Sequence, residues 1–343
     1  MTLGGGEGTE GDLLVRSGTK AMVAAVVAAV TLGTAMPAGA GLLETTTTTL
    51  TGDSTTESRY DDPFFLNWPT YLLATTPDTY VASSSDECKK GHLNCVDRVI
   101  REMTKRFNSH GCDHDSMFAF TYLVTTEEYR RAVEDPDFFT DNAFVNHQDA
   151  VFADYYFEQY DDWHAGRVDE VSPSWRIAFH AAAGQEVTGM GNVFLGMNAH
   201  VNRDLPFVLA EIGLVKPDGT SRKADHDRVN DFLAATNQYL LVEAAKYLDP
   251  TVDDGDVPGT SLDNNTAVQA LVAWREQAWR NAERLVAADT EAKRAAVAQE
   301  IEELAALEAL AIRESYRYNS THTLLGKDAA ARDQFCAANF QKR

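Results

Sequence analysis

"GMNAHVNRDLPF", Gly196 to Phe207, threads two Asn, a His, an Arg and an Asp through residues that otherwise suit a core. A surface helix would gather such groups on one side, and an ordinary buried helix would omit them. The segment therefore reads as a polar knot inside a helical protein. Pro206 lacks a backbone donor, which predicts a kink with carbonyls of the preceding turn left to find other partners. His200 and Asp204 stand four residues apart and share a helix face, while Asn198 and Asn202 form an adjoining stripe.

Helical spacing continues on both sides. In "CVDRVIREMTKRF" the apolar residues Val96, Val99, Ile100, Met103 and Phe107 recur at helical intervals with charges between them. "SMFAFTYLVTTEEYRRAVE" follows, and "FVNHQDAVFADYYFEQYDDWH" lays Phe144, Val151, Phe152, Tyr155 and Tyr156 along one side. "DRVNDFLAATNQYLLVEAAKYL", "AVQALVAWREQAWRNAERLVAA" and "KRAAVAQEIEELAALEALAIRESYRY" read as three more long helices. Strand alternation and hairpin turns are nearly absent, so the expected fold is all-α, a multi-helix bundle with a kinked central helix. "EDPDFF", "DEVSPSW", "VKPDGTS" and "LDPTVDDGDVPGTSLDNN" mark the joints. The acidic "DDGD" of the last lacks the ligand spacing of a calcium loop and reads as a solvated turn. No repeat or composition shift divides residues 61–343, which are expected to form a single helical domain.

With 343 residues, 44% of them hydrophobic, the chain is long enough for a substantial core. Its 52 Asp+Glu against 30 Lys+Arg give a net charge of -22, a field that repels phosphate backbones and anionic lipid. Nucleic acid is thereby excluded as a partner, and a small-molecule substrate or ligand is expected instead. Nothing in these features fixes an oligomeric state.

Residues 1–40 read as a signal peptide: Lys20 precedes an apolar run from Ala21 to Leu32, and Ala38-Gly39-Ala40 supplies a cleavage site after Ala40. The run is about half the ~20 residues that span a bilayer, so no stable membrane insertion is expected after cleavage. Residues 41–60, rich in Thr and Ser, read as a flexible linker. Four cysteines behind such a leader imply a secreted or extracytoplasmic chain with two disulfides. The short spacing of "CKKGHLNC" favours Cys88 with Cys95, leaving Cys112 for Cys336.

No Walker loop, dinucleotide fingerprint, G-x-S-x-G elbow or H-E-x-x-H motif occurs. The remaining chemistry lies in His and Asp residues. Besides His200 and Asp204, His147 and Asp154 stand two helical turns apart, and His114 sits between Asp113 and Asp115 at an expected helix N-terminus. If their segments pack together, His114, His147, Asp154, His200 and Asp204 could bind one or two divalent metals, zinc, manganese or iron. His92, His164, His180, His226 and His322, in loops or at helix ends, are given no role.

Three functions stay open on this reading. One is a metal-dependent hydrolase of phosphoester type. Another is a non-catalytic module binding a small ligand through Asn198, Asn202, Tyr155 and Trp175. The third is a structural protein whose buried polar network fixes helix register. "LGMNAHVNRDLPFVLAE", "DAVFADYYF", "PSWRIAF", "ADHDRVNDFLA" and "AWREQAWRNAERL" resemble in order and spacing the bacterial domain-of-unknown-function family 5995, from about Cys88 to Leu285. The resemblance implies a helical fold and no activity.

Overall fold

The computed structural model describes Cys88, residues 90–253 and residues 262–343. The expected signal peptide and linker, and the beginning of the expected domain, lie outside the described residues. The fold is an all-α bundle. Its helices are α1 (Leu93–His110), α2 (Ser116–Ala132), α3 (Asn142–His164), α4 (Pro173–Ala183), α5 (Gly189–Asn198) and α6 (Leu205–Ile212), then α7 (Lys223–Tyr247), α8 (Leu262–Ala287), α9 (Glu291–Ser315), α10 (Ser320–Leu325) and α11 (Ala329–Asn339). Among the described residues only two isolated β-bridges occur, Val187 with Arg317 and Val215 with Ser221. No described helix is long and apolar enough to cross a membrane.

The expected helices form where the apolar periodicity places them. One boundary differs: α8 starts at Leu262, inside the stretch expected to be loop, and Pro250–Asp253 form a short 3-10 turn. The disulfides join Cys88 to Cys95 and Cys112 to Cys336, as the spacing suggested.

The expected kink is a change of helix type. α5 and α6 are joined without a break by a π-helical turn, Ala199–Asp204, in which the Leu205 amide reaches back five residues to the His200 carbonyl. Pro206 follows at once with no amide to donate, so the turn ahead of it widens rather than leaving a carbonyl stranded. This segment lies at the centre of the bundle, packed on α3, α4, α8 and α9. Trp175, Tyr156, Leu195 and Leu205 of the main core enclose it. A second core, built on Val96, Tyr129, Phe144, Val151, Val208 and Phe232, fills the space between α1, α2, α3, α6 and α7.

Close helix approach is specified by Gly196. A Cβ there would stand 2.3 Å from the ring of Phe118 and 2.8 Å from its Cβ, so α5 meets α2 only because the side chain is missing. Gly196→Ala is expected to lower stability by roughly 1–3 kcal/mol in denaturant melts despite the better helix propensity of Ala. A variant as stable as the parent would mean that the two helices are not in contact at this point.

Candidate metal centre

The polar knot is buried and bonds largely to itself, with His200 Nε2 and Asn202 Oδ1 left without a hydrogen-bond partner. Asp204, at 0% exposure, accepts on Oδ2 from Trp175 Nε1 at 2.9 Å and pairs there with His200 Nδ1 at 3.0 Å. Its Oδ1 accepts from Arg203 at 2.9 Å, and the Arg203 Nε donates to Glu302 at 2.7 Å. With a carboxylate on Nδ1, that nitrogen carries the proton and Nε2 the lone pair. Burial pushes the His200 pKa down, against the opposing pull of Asp204, so the ring is neutral. Phe152 stacks on it with ring centres 3.4 Å apart. The neighbouring stripe is spent likewise: Asn198 donates to the Ala305 carbonyl, and Asn202 donates to Asn198 Oδ1 at 3.0 Å and to Glu308 at 2.6 Å.

The other expected ligands go elsewhere. Asp154, about half exposed, makes a two-point ion pair with Arg98 at 2.7 and 2.9 Å. His147 is buried within α3. His114 lies between Asn192, 3.4 Å from its Nδ1, and Asp333, 3.3 Å from its Nε2, with its pKa lowered by burial to about 4. Tyr155 is tied to Glu211 at 3.1 Å. None of the five expected metal ligands belongs to the His/Asp cluster found among the described residues.

That cluster is His110, Asp115 and His164, each offering a ligand atom within 4.8 Å of the others. Its origin is a seam between α1 and α3. Arg98 pairs with Asp154, and two turns later Arg106 pairs with Asp161 through two 2.9 Å bonds. Both members of each pair advance together along the chain, so the helices run parallel and finish side by side at His110 and His164. Two helix C-termini, each carrying partial negative charge, thus converge on one spot. Asp115, N-cap position of α2 but without a side-chain capping bond, is the third member.

Two ring nitrogens and a carboxylate oxygen meet there. His164 Nδ1 lies 2.9 Å from the Tyr160 carbonyl, which can only accept, so Nδ1 donates and Nε2 is the ring atom turned to the cluster. That nitrogen stands 3.7 Å from Asp115 Oδ2, and His110 Nδ1 stands 4.0 Å from the same oxygen. Burial lowers the His110 pKa to about 4, helped by His164 and Arg106, so this ring is neutral at neutral pH. Burial raises the Asp115 carboxyl to about 7, with Asp113 adding to the shift. Tetrahedral zinc ligands at ~2.0–2.1 Å from the metal lie ~3.3–3.5 Å apart, so a set whose atoms lie within 4.8 Å of one another would close by side-chain movements of about 1 Å. His110 is buried and Asp115 partly so, whereas the His164 side chain is 39% exposed and opens the cluster to solvent. Behind Asp115 a cavity of about 20 Å³, room for about one water, is walled by Phe118, Tyr156, Trp175 and Phe179.

His164 was given no role by the sequence and His110 was not singled out. The available signal was "SHGCDHD", where His110 and Asp115 flank a turn, together with Tyr160 and His164 one helical turn apart. His226, by contrast, is structural. Its Nε2 lies 3.1 Å from the Arg275 carbonyl, pinning α7 to α8.

Fold and cluster together define an all-helical protein with a 2-His-1-carboxylate group at the meeting point of two helix ends. The chain belongs to the family of unknown function DUF5995, whose model matches residues 96–315. No curated protein and no solved structure matches it. The two disulfides indicate an oxidising, extracytoplasmic environment.

Two outcomes test the division between knot and cluster. Asp204→Ala strands the buried donors of Trp175 and Arg203 and is expected to cost about 3–5 kcal/mol in chemical unfolding. A loss below about 1 kcal/mol would show that the network carries little stability. Glu308 is raised from 4.5 to about 8 by burial, so the folded chain keeps a proton that the unfolded chain releases first. Its contribution is full below about 4.5 and lost as pH rises through about 8. Glu308→Gln should therefore flatten the pH dependence of melting over that window and gain on the order of 2 kcal/mol at its upper end. A variant with the parent's pH profile would contradict the assignment.

Proposed function

We propose that the protein binds one divalent transition metal, zinc foremost, through His110, Asp115 and His164, and uses it for hydrolysis outside the cytoplasm. The observation that carries the reading is the convergence of two imidazoles and a carboxylate, each with a potential ligand atom within 4.8 Å of the others, where two helices end and a third begins. Imidazole and carboxylate together suit zinc, manganese or iron. Three protein ligands leave a position for water, the arrangement of catalytic rather than structural zinc sites. A water held there would serve as nucleophile at neutral pH, and the exposed edge of His164 is the side from which a substrate reaches it. Phosphoesters are the proposed substrate class. Delivery is by the N-terminal segment acting as a signal peptide cleaved after Ala40.

The knot at His200 supports a different role. Its groups bond one another across α4, the π turn and α9, which favours a structural function for Asn198, Asn202, His200 and Asp204.

Protein purified without a His tag and titrated with zinc is expected to bind one equivalent, and His164→Ala and Asp115→Asn are each expected to weaken binding at least tenfold. The zinc-loaded parent should hydrolyse bis(p-nitrophenyl) phosphate, and Asp115→Asn should not. Unchanged binding in both variants would refute the ligand assignment, while binding without turnover would refute the hydrolase.

A further inference from the structure

The turn that carries His110 and Asp115 is held from outside the segment matched by the family model. Cys112, in that turn, is joined to Cys336 of α11. One turn earlier on α11, Arg332 reaches the same place. Its guanidinium, buried at 1% exposure, donates to the Cys112 carbonyl, to the Asp113 carbonyl at 3.5 Å and to Ser116 Oγ at 3.2 Å. Its neighbour Asp333 stands 3.3 Å from His114. The chain end continues across α1: Phe340 packs on Phe107 with ring centres 5.3 Å apart, and Asn108 exchanges two hydrogen bonds with the backbone of Arg343. Arg343 also pairs with Glu127 and with Glu243.

These contacts fall on one short target. Residues 110–116 contain two of the three cluster residues, and every backbone carbonyl that Arg332 engages belongs to that stretch. The third, His164, ends α3 and has its own anchor in the Tyr160 carbonyl. His110 closes α1 and His164 closes α3, so the set is usable only if the turn after His110, which carries Asp115, is fixed relative to the two helix ends. A buried cation bonded to consecutive carbonyls and a covalent tie to the next helix supply that fixation.

We infer that the C-terminal strap, residues 328–343, is part of the metal centre, with Arg332 and the Cys112–Cys336 disulfide as positioning groups that preset His110 and Asp115 for the ion. The inference rests on the metal-binding reading above. Partners bonded directly to a ligand commonly change metal affinity 10- to 100-fold when removed, and Arg332 acts on the ligands through the carbonyls of the turn between them.

The test is zinc titration of the full oxidised chain and of four variants, each checked by circular dichroism for retained helix. Arg332→Ala and the pair Cys112→Ser/Cys336→Ser are expected to raise the zinc Kd at least tenfold, and Arg332→Lys to recover part of the loss. The pair Cys88→Ser/Cys95→Ser, which removes the other disulfide, is expected to leave the Kd within twofold of the parent. In cobalt-loaded protein, Arg332→Ala should also shift the visible ligand-field bands, which a loss of global stability alone would not do. If the parent binds zinc and both the Arg332→Ala and the Cys112/Cys336 variants bind equally well with unchanged cobalt spectra, the strap plays no part and the metal reading stands. Equal weakening by the Cys88/Cys95 pair would reduce the effect to general stability and overturn the inference. A parent that binds no zinc would overturn the metal reading and the strap with it.

Discussion

A carboxylate with no access to water governs the middle of this bundle. Asp204 would be costly to bury alone, and the surrounding helices are arranged so that it is not alone: Trp175 from α4, His200 from the π turn and Arg203 beside it take up both oxygens. Arg203 is in turn matched by Glu302 of α9. The widened turn ahead of Pro206 brings His200 and Asp204 onto each other, and the missing side chain at Gly196 lets α2 close over the result. Chain direction, helix type and core packing agree around a single anion.

The candidate metal centre follows from a second constraint, the parallel course of α1 and α3. Arg98–Asp154 and Arg106–Asp161 fix the register of the seam, and register decides which residues end it. Two histidines at the ends of parallel helices sit in the negative field of both, a place that favours a cation. Asp115 enters from the following turn. The charged groups of the knot at Asp204 are matched from within, whereas the cluster at Asp115 brings two imidazoles and a carboxylate together at 3.7 and 4.0 Å with an exposed edge at His164.

Helical periodicity, the kink at Pro206 and the pairing of four cysteines were legible because each depends on local spacing. The pairing of His200 with Asp204 was legible for the same reason, one turn of one helix. That the Asp204 oxygens are already taken was not, since the answer lies in Trp175 and Arg203, whose approach depends on packing. His110 and His164 escaped because neither is close in sequence to the other, and their meeting is set by ion pairs whose partners lie more than fifty positions apart. His114, one residue from Asp115, looked the better ligand, yet its ring turns towards Asn192 and Asp333. Sequence named the turn and missed which of its groups meet His164.

The most direct test of the account is the location of bound metal in a crystal of the full chain soaked with zinc, read from anomalous scattering. The account predicts one strong peak bounded by His110, Asp115 and His164, and none beside His200. A peak on the His200–Asp204 pair, or no ordered zinc anywhere in the bundle, would contradict it.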